Sequence, residues 1–267
     1  MKKWWRWLRF AIIIYCVFGI VLYYLQDYIL FHPVHIKKTQ AYGFRIPHKE
    51  VNIPYSANST INIVQFLVPD SQAKGVVLYF HGNKKNISWY SNFSPYFTRN
   101  HYEVWMIDYP GFGKSTGVFS EEKLYDWALT LYKLARAYYS PDSIIIYGKS
   151  MGTGIASQLA SIRDCRYLIL ETPYYDMPSI IDNYFPIYPV NRMIHYKLPT
   201  WKYLQNVTAT VTIFHGTDDW IIPYRNANRL KPFLKATDSF ITVPGGSHND
   251  LYDFPLITEK LDALLRY

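Results

Sequence analysis

At 267 residues the chain has room for one domain or two small ones, and hydrophobic residues (49%) far outnumber charged residues (18%). It can therefore bury a large core, which excludes a disordered tail and a collagen-like fibre, and its two cysteines exclude a disulfide scaffold and a thiolate zinc site. The Lys and Arg residues that give the net charge of +8 form no dense run, and the sequence contains no motif that binds a nucleic-acid groove. We therefore expect no nucleic-acid partner.

Residues 1–31 are predicted to be an N-terminal membrane anchor. Four cations in MKKWWRWLR precede Phe10–Leu25, a run of uncharged and almost wholly apolar residues. At about 1.5 Å per residue this run spans about 24 Å, and flanking Trp and Tyr residues extend it towards the roughly 30 Å hydrocarbon core of a bilayer. Bulky residues at 23–26 follow, where a cleaved signal peptide would need small ones. A cleaved signal and a buried helix are the alternatives.

The cations of the first nine residues lie directly against the apolar run, whereas a similar number of Lys and Arg residues follows only at 37–49. The positive-inside rule then places the N-terminus in the cytoplasm and the rest of the chain outside it. We favour the periplasmic side of a bacterial membrane over the lumen of the endoplasmic reticulum.

Residues 32–50 are predicted to be a linker and residues 51–267 a single α/β domain. Beyond the linker, short β-branched runs alternate with helical stretches, and the runs from Val76 onwards are continuously apolar, which is typical of strands buried on both faces. This alternation predicts a doubly wound, mostly parallel sheet with right-handed crossovers. Strands are predicted at 61–68, 76–80, 104–108, 144–147, 167–170, 210–214 and 239–243, and helices near 88–99, 120–138, 151–162, 224–235 and 250–265.

The sequence GKSMG at 148–152 lies between an apolar strand and a helical run. In that context GxSxG forms a nucleophile elbow, a sharp turn that lifts the serine above the sheet while small residues let the two backbones pass closely. We therefore predict Ser150 as the nucleophile. The backbone N–H groups of Met151 and of Asn83, in the HGN that follows the strand at 76–80, are the predicted oxyanion donors.

A serine nucleophile needs a histidine base and an acid that orients it, and on this fold they follow in the order Ser, acid, His. Of the three later histidines, His248 lies in a glycine loop after the last strand and follows the pair Asp218 and Asp219, so we predict it as the base. His215 precedes both acids and is interpreted as a core residue, and His195 lies in a connection rich in Pro and Tyr. The spacing from the preceding strand does not decide whether Asp218 or Asp219 is the orienting acid.

Six segments of the chain match one family in the family's own order. They are DYILFHP at 27–33, HGN at 81–83, DYPGFGKSTG at 108–117, GKSMGTG at 148–154, HGTDDWIIP at 215–223 and GGSHND at 245–250. The sequence resembles the α/β-hydrolase superfamily, within its small membrane-anchored branch of abhydrolase-domain and bud-emergence-type serine hydrolases. The resemblance implies a Ser/Asp/His hydrolase that uses no cofactor and no metal. In this family the acid precedes one variable residue, two aliphatic residues and often Pro, which selects Asp219.

Cap domains of this superfamily interrupt the chain where residues 171–207 stand here. This stretch is short and dense in Tyr and Pro, so we expect a small flap instead of a large cap, with aromatic side chains suited to an apolar acyl or aryl group.

The predicted function is hydrolysis of carboxylic esters or thioesters, with lipid-like or other acyl substrates, by a membrane-anchored serine hydrolase through an acyl-enzyme. The alternatives are a catalytically silent scaffold that acts as a binding protein, a peptidase-like member and an acyltransferase. Esterase or lipase chemistry is preferred to peptidase chemistry, and the partners expected are the small acyl substrate and the lipid membrane.

Overall fold

The computed structural model describes residues 2–69 and 73–266. In this part of the chain, eight strands form one sheet in the order β10-β9-β8-β7-β4-β6-β3-β2, and β1 pairs with β5 separately. The strands are β1 (His32–Pro33), β2 (His48–Ser56), β3 (Ser59–Phe66), β4 (Gly75–Phe80), β5 (Lys84–Lys85), β6 (Tyr102–Asp108), β7 (Ile144–Lys149), β8 (Tyr167–Glu171), β9 (Thr210–Gly216) and β10 (Ser239–Val243).

Helices cover both faces of this sheet. They are α1 (Lys2–Leu30), α2 (Ile87–Tyr90), α3 (Pro95–Thr98), α4 (Glu121–Arg136), α5 (Gly152–Ile162), α6 (Met177–Tyr184), α7 (Val190–Met193), α8 (Thr200–Leu204), α9 (Tyr224–Asn228) and α10 (Pro255–Leu265). Of the described strands of the large sheet, β3 is antiparallel to both of its neighbours, and the run from β6 to β10 is parallel throughout. The doubly wound, mostly parallel fold is therefore confirmed.

Strand residues alternate between two apolar cores. Along β4, Leu78 packs on one face with residues of α4 and α5, while Tyr79 packs on the other face with residues of α3 and α10. Every residue of β4, β6 and β7 is buried, which explains why apolar residues dominate their sequences. The predicted strands are all present, and α4 begins at an N-cap, where the Ser120 side chain accepts from the Lys123 N–H.

The strand β2 was not predicted. It pairs with β3 as a hairpin at the sheet edge and is half exposed along its length, with charged residues and a proline in its sequence HKEVNIPYS. Charged residues and Pro are common on edge strands but give a weak strand signal in sequence. The first three residues of β2 fall in the segment predicted as a linker.

The helices predicted at 88–99 and 224–235 are also shorter than expected, because each breaks into short α and 3₁₀ turns around a proline.

The long apolar helix α1 does not stand apart from the domain. An 18-residue stretch of its segment Lys3–Leu30 has a mean hydropathy of 2.2, and the segment is long and apolar enough to span a membrane. The second half of α1 packs against the flap, residues 171–207, which contains α6, α7 and α8. The ring of Tyr15 stacks on Tyr188 at 4.6 Å, and the buried Gln26 accepts a hydrogen bond from the His195 N–H at 2.8 Å.

Candidate active site

Ser150 lies in the tight turn between β7 and α5 with φ of +52°, a left-handed conformation that non-glycine residues seldom adopt. Its N–H donates to the Glu171 carbonyl at 2.9 Å, and its own carbonyl accepts from the Thr153 N–H and hydroxyl. Strained residues of this kind cluster at functional sites because the surrounding structure must hold them. Ser150 is 8% exposed and lines a surface cleft.

The turn is possible only where the backbones come close together. A Cβ on Gly152 would lie 2.0 Å from the Phe80 carbonyl oxygen, and a Cβ on Gly148 would lie 2.5 Å from the Gly152 carbonyl oxygen. Both glycines of the GxSxG motif are therefore required by contact with neighbouring backbone, which is the reason that the sequence analysis gave for them.

Three predicted residues meet at the carboxyl edge of the sheet, each from the loop after a different strand. His248 Nε2 lies 2.9 Å from Ser150 Oγ, and His248 Nδ1 lies 2.8 Å from Asp219 Oδ2. A carboxylate can only accept, so Nδ1 carries the proton and Nε2 is left to accept from the serine hydroxyl. All three side chains are buried.

The Asp219 carboxylate is fixed by its own loop. Its Oδ1 accepts from the N–H groups of Ile221 and Ile222 at 2.9 and 2.8 Å, which leaves Oδ2 to face His248. Asp218 is exposed and accepts from the Thr217 hydroxyl. The structure thus brings Asp219, and not Asp218, to the histidine.

His215 lies closer to this group than its interpretation as a core residue implied. It is fully buried, with Nε2 2.9 Å from the Ile222 carbonyl oxygen and 3.6 Å from Asp219 Oδ2. Burial lowers the pKa of His215, although the carboxylate of Asp219 acts in the opposite direction. A neutral His215 donates to the Ile222 carbonyl and braces the loop that carries Asp219. Its place four residues before Asp219 was the available sequence signal.

The loop after β4 brings Asn83 to the same cleft. A Cβ on Gly82 would lie 3.6 Å from Ser150 Cβ, so the loop runs directly past the serine. Asn83 is tied to the end of α1, because its side-chain amide donates to the Leu30 carbonyl and its own carbonyl accepts from the His32 N–H. Met151 is the N-cap residue of α5, and its carbonyl accepts from the Tyr174 hydroxyl at 3.0 Å. The attachment of the Asn83 loop to α1 was not predicted.

A buried polar cluster lies next to Ser150 and the backbone of His248, and it was not predicted from the sequence. Lys149, beside the serine, forms an ion pair with Glu171, and both side chains are almost fully buried. Glu171 also accepts from the Tyr147 hydroxyl, and Lys149 Nζ lies 3.4 Å from the His248 carbonyl oxygen. Burial and the nearby Glu171 raise the pKa of Tyr147, so the phenol remains a donor. The signal was a lysine at the variable position of GxSxG, followed 22 residues later by a glutamate at the end of the next strand.

The cleft above Ser150 has a volume of about 450 Å³. Its walls come from the end of α1, the loop after β4, the flap residue Tyr184 and the loops that carry Asp219 and His248. Lys84, Lys85 and Lys149 line it, and among its described lining residues none carries a carboxylate. In the parts of the chain that the structure describes, no group of three or more His, Cys, Asp and Glu side chains is placed to hold a metal ion.

Comparison with known proteins gives consistent matches. Residues 71–203 match the family described as serine aminopeptidase, S33. The chain is 23% identical to the uncharacterised protein YfhR of Salmonella typhimurium, over 93% of this chain and 91% of that one. It is 28% identical to alpha/beta hydrolase domain-containing protein 17C of Xenopus tropicalis, over 72% of this chain and 61% of that protein.

Solved structures show the same fold. The esterase Pf2001 of Pyrococcus furiosus superimposes with a TM-score of 0.68 at 14% identity, covering 89% of this chain and 97% of that one. A monoglyceride lipase from Saccharomyces cerevisiae superimposes with a TM-score of 0.64 at 16% identity, covering 86% and 98%.

The buried ion pair behind the site gives a stability prediction. Lys149→Met leaves the Glu171 carboxylate buried without its cation, and we expect the free energy of unfolding to fall by about 3–5 kcal/mol. Arg99→Met is the matched control, because Arg99 and its partner Asp262 are 45% and 37% exposed and their ion pair contributes at most about 1 kcal/mol. Urea unfolding of the full chain in detergent measures both values. Equal losses in the two variants would contradict this account of the cluster.

Proposed function

Because the chain belongs to the α/β-hydrolase superfamily, we propose that it is a membrane-anchored serine hydrolase that cleaves carboxylic esters or thioesters through an acyl-enzyme. The observation that carries this proposal is the hydrogen-bonded series from Ser150 Oγ through His248 to Asp219, at 2.9 and 2.8 Å. This arrangement has the chemistry of a serine nucleophile with its base and orienting acid.

Each residue then has a stated role. His248 Nε2 takes the Ser150 proton as Oγ attacks the substrate carbonyl, and the same nitrogen later gives that proton to the leaving group. Asp219 holds the Nδ1–H tautomer and stabilises the imidazolium that forms. The N–H groups of Met151 and Asn83 hold the oxyanion, and water then hydrolyses the acyl-enzyme.

The charge of the cleft favours an ester over the substrate of an aminopeptidase. The matching family is described as serine aminopeptidase, and an aminopeptidase must bind the α-ammonium group of its substrate. Lys84 and Lys85, which are exposed at the cleft, repel such a cation, and among the described lining residues no carboxylate is available to pair with it. An uncharged or anionic acyl substrate suits this cleft better.

The first test uses Ser150→Ala. A fluorophosphonate probe should label the wild-type chain, and the variant should show no label because the reacting oxygen is gone. We expect kcat on a p-nitrophenyl ester to fall by about 10⁶, as it does when a triad serine is removed elsewhere. Undiminished turnover by Ser150→Ala would rule out the mechanism.

The second test compares Asp219→Asn with Asp218→Asn. The first substitution stabilises the wrong tautomer of His248, so kcat should fall by about 10⁴ while the fold is kept. Asp218 is exposed and does not contact the histidine, so its variant should change kcat by less than about tenfold. Circular dichroism checks that both variants fold. A larger loss in Asp218→Asn would show that the acid is misassigned.

The anchor is proposed to place the domain outside the cytoplasm, on the periplasmic side of a bacterial membrane. The length and hydropathy of Lys3–Leu30 support the anchor, and the cations that precede its uncharged stretch support the orientation. A C-terminal alkaline phosphatase fusion expressed in bacteria should be active, and a fused reporter that needs the cytoplasm should be inactive. The reverse result would overturn the orientation.

A further inference from the structure

A second cavity of about 340 Å³ lies between α1 and the flap, and we call it the anchor groove. Its α1 wall is formed by Leu22, Gln26, Ile29 and Leu30, and its other wall by residues of α6, α7 and the segment between them. The groove follows α1 for nine residues, from Leu22 to Leu30, which span about 12 Å.

The lining of the anchor groove is mostly apolar, and its polar groups already have hydrogen-bond partners. Among its described lining residues the polar side chains are Gln26, Tyr184 and Tyr188, and each has partners within the protein. Gln26 bonds to the backbone of Tyr23, Met193 and His195. The Tyr184 hydroxyl donates to the carbonyls of the Trp220 loop, and the Tyr188 hydroxyl donates to the Tyr15 carbonyl. Water would find few polar partners here, whereas a hydrocarbon chain needs none.

The groove adjoins the catalytic cleft. Ile29, Leu30 and Tyr184 line both the groove and the cleft that contains Ser150. A flexible chain that leaves the cleft past Leu30 enters the groove directly.

The far end of the groove lies in the apolar part of α1. Leu22 belongs to the uncharged run that precedes Asp27, and the flap reaches further still, because Tyr15 stacks on Tyr188 and donates to the Ile187 carbonyl. Tyr15 is about 22 Å along the helix from Leu30. If α1 crosses a bilayer, the flap must therefore enter the membrane beside it. The side chain of Ile187, 70% exposed, is suited to lipid.

We propose that the anchor groove binds the acyl chain of an ester dissolved in the membrane, so that the chain extends from the bilayer at Leu22 to the carbonyl at Ser150. The helix α1 is then a wall of the substrate site as well as an anchor. This inference rests on the proposed function, and it names the substrate class as a membrane amphiphile with a long acyl chain.

The test measures kcat/KM of the full chain in phosphatidylcholine vesicles on p-nitrophenyl acetate, butyrate, octanoate and laurate. Each buried methylene contributes a factor of up to about four to binding, so wild-type kcat/KM should rise steeply with chain length. Leu22→Trp and Ile181→Trp each place a large ring in the groove, and we expect the laurate-to-acetate ratio to fall at least tenfold in both. Ile20→Trp is the matched control, because Ile20 is 58% exposed, is not among the groove residues and should keep the ratio.

A second measurement needs no variant. A fluorophosphonate with a dodecyl chain and a terminal diazirine is attached to Ser150 of the wild-type chain in vesicles and then photolysed. Peptides that contain residues 15–30 or 180–194 should carry the crosslink.

The outcomes separate the two proposals. If the wild-type chain neither hydrolyses acetate nor reacts with the fluorophosphonate, the proposed function fails. If acetate is hydrolysed and Ser150 is labelled, but the chain-length ratio is the same in the groove variants as in Ile20→Trp, the groove does not bind the acyl chain. Crosslinks confined to other surfaces would overturn the inference in the same way.

Discussion

The close approach of three backbones at the Ser150 turn is the constraint on which the site depends. Strand β4, strand β7 and helix α5 meet there so tightly that a methyl group on Gly152 would collide with the Phe80 carbonyl. This contact forces Ser150 into a left-handed conformation and directs its hydroxyl towards the cleft. The surrounding strands are fully buried and hydrogen-bonded on both sides, so the sheet can hold the strained residue in place.

The support of the site extends beyond the residues proposed to react. Lys149 and Glu171 place a paired charge in the interior directly behind the serine, and Lys149 also reaches the carbonyl of His248. His215 occupies a comparable position behind Asp219. In a medium of low dielectric, such groups hold the adjacent loops firmly only because every charge has a partner. The arrangement gives the histidine loop and the acid loop fixed positions relative to the serine turn.

The end of α1 connects the proposed anchor to this arrangement. Leu30 and the residues that follow hold the Asn83 loop through hydrogen bonds, and β1 pairs with β5 beside it. The same end of α1 lines the cleft, while its middle packs on the flap. An apolar helix that only tethered a domain would need none of these contacts. If α1 is the anchor that we propose, these contacts fix the position of the membrane relative to the cleft.

The amino-acid sequence by itself determined the class of fold, because buried parallel strands need continuous apolar runs and their crossovers need helices of regular length. It also identified Ser150, Asp219 and His248 as candidate site residues. The nucleophile elbow around Ser150 depends on local glycines, and the loops that carry Asp219 and His248 contain short motifs. The edge strand β2 was missed because an exposed strand with charged residues and proline has little hydrophobic signal. The choice between Asp218 and Asp219 needed the family pattern, since the two are adjacent in one loop. Only the tertiary structure decided that Glu171 pairs with Lys149, that His215 lies beside Asp219, and that α1 lines the cleft. The Lys149–Glu171 pair and the contact of α1 with the cleft join residues that lie far apart in the chain, and no local periodicity encodes which distant side chains a folded sheet brings together. His215 and Asp219 are only four residues apart, but the conformation of the loop between them decides that their side chains meet.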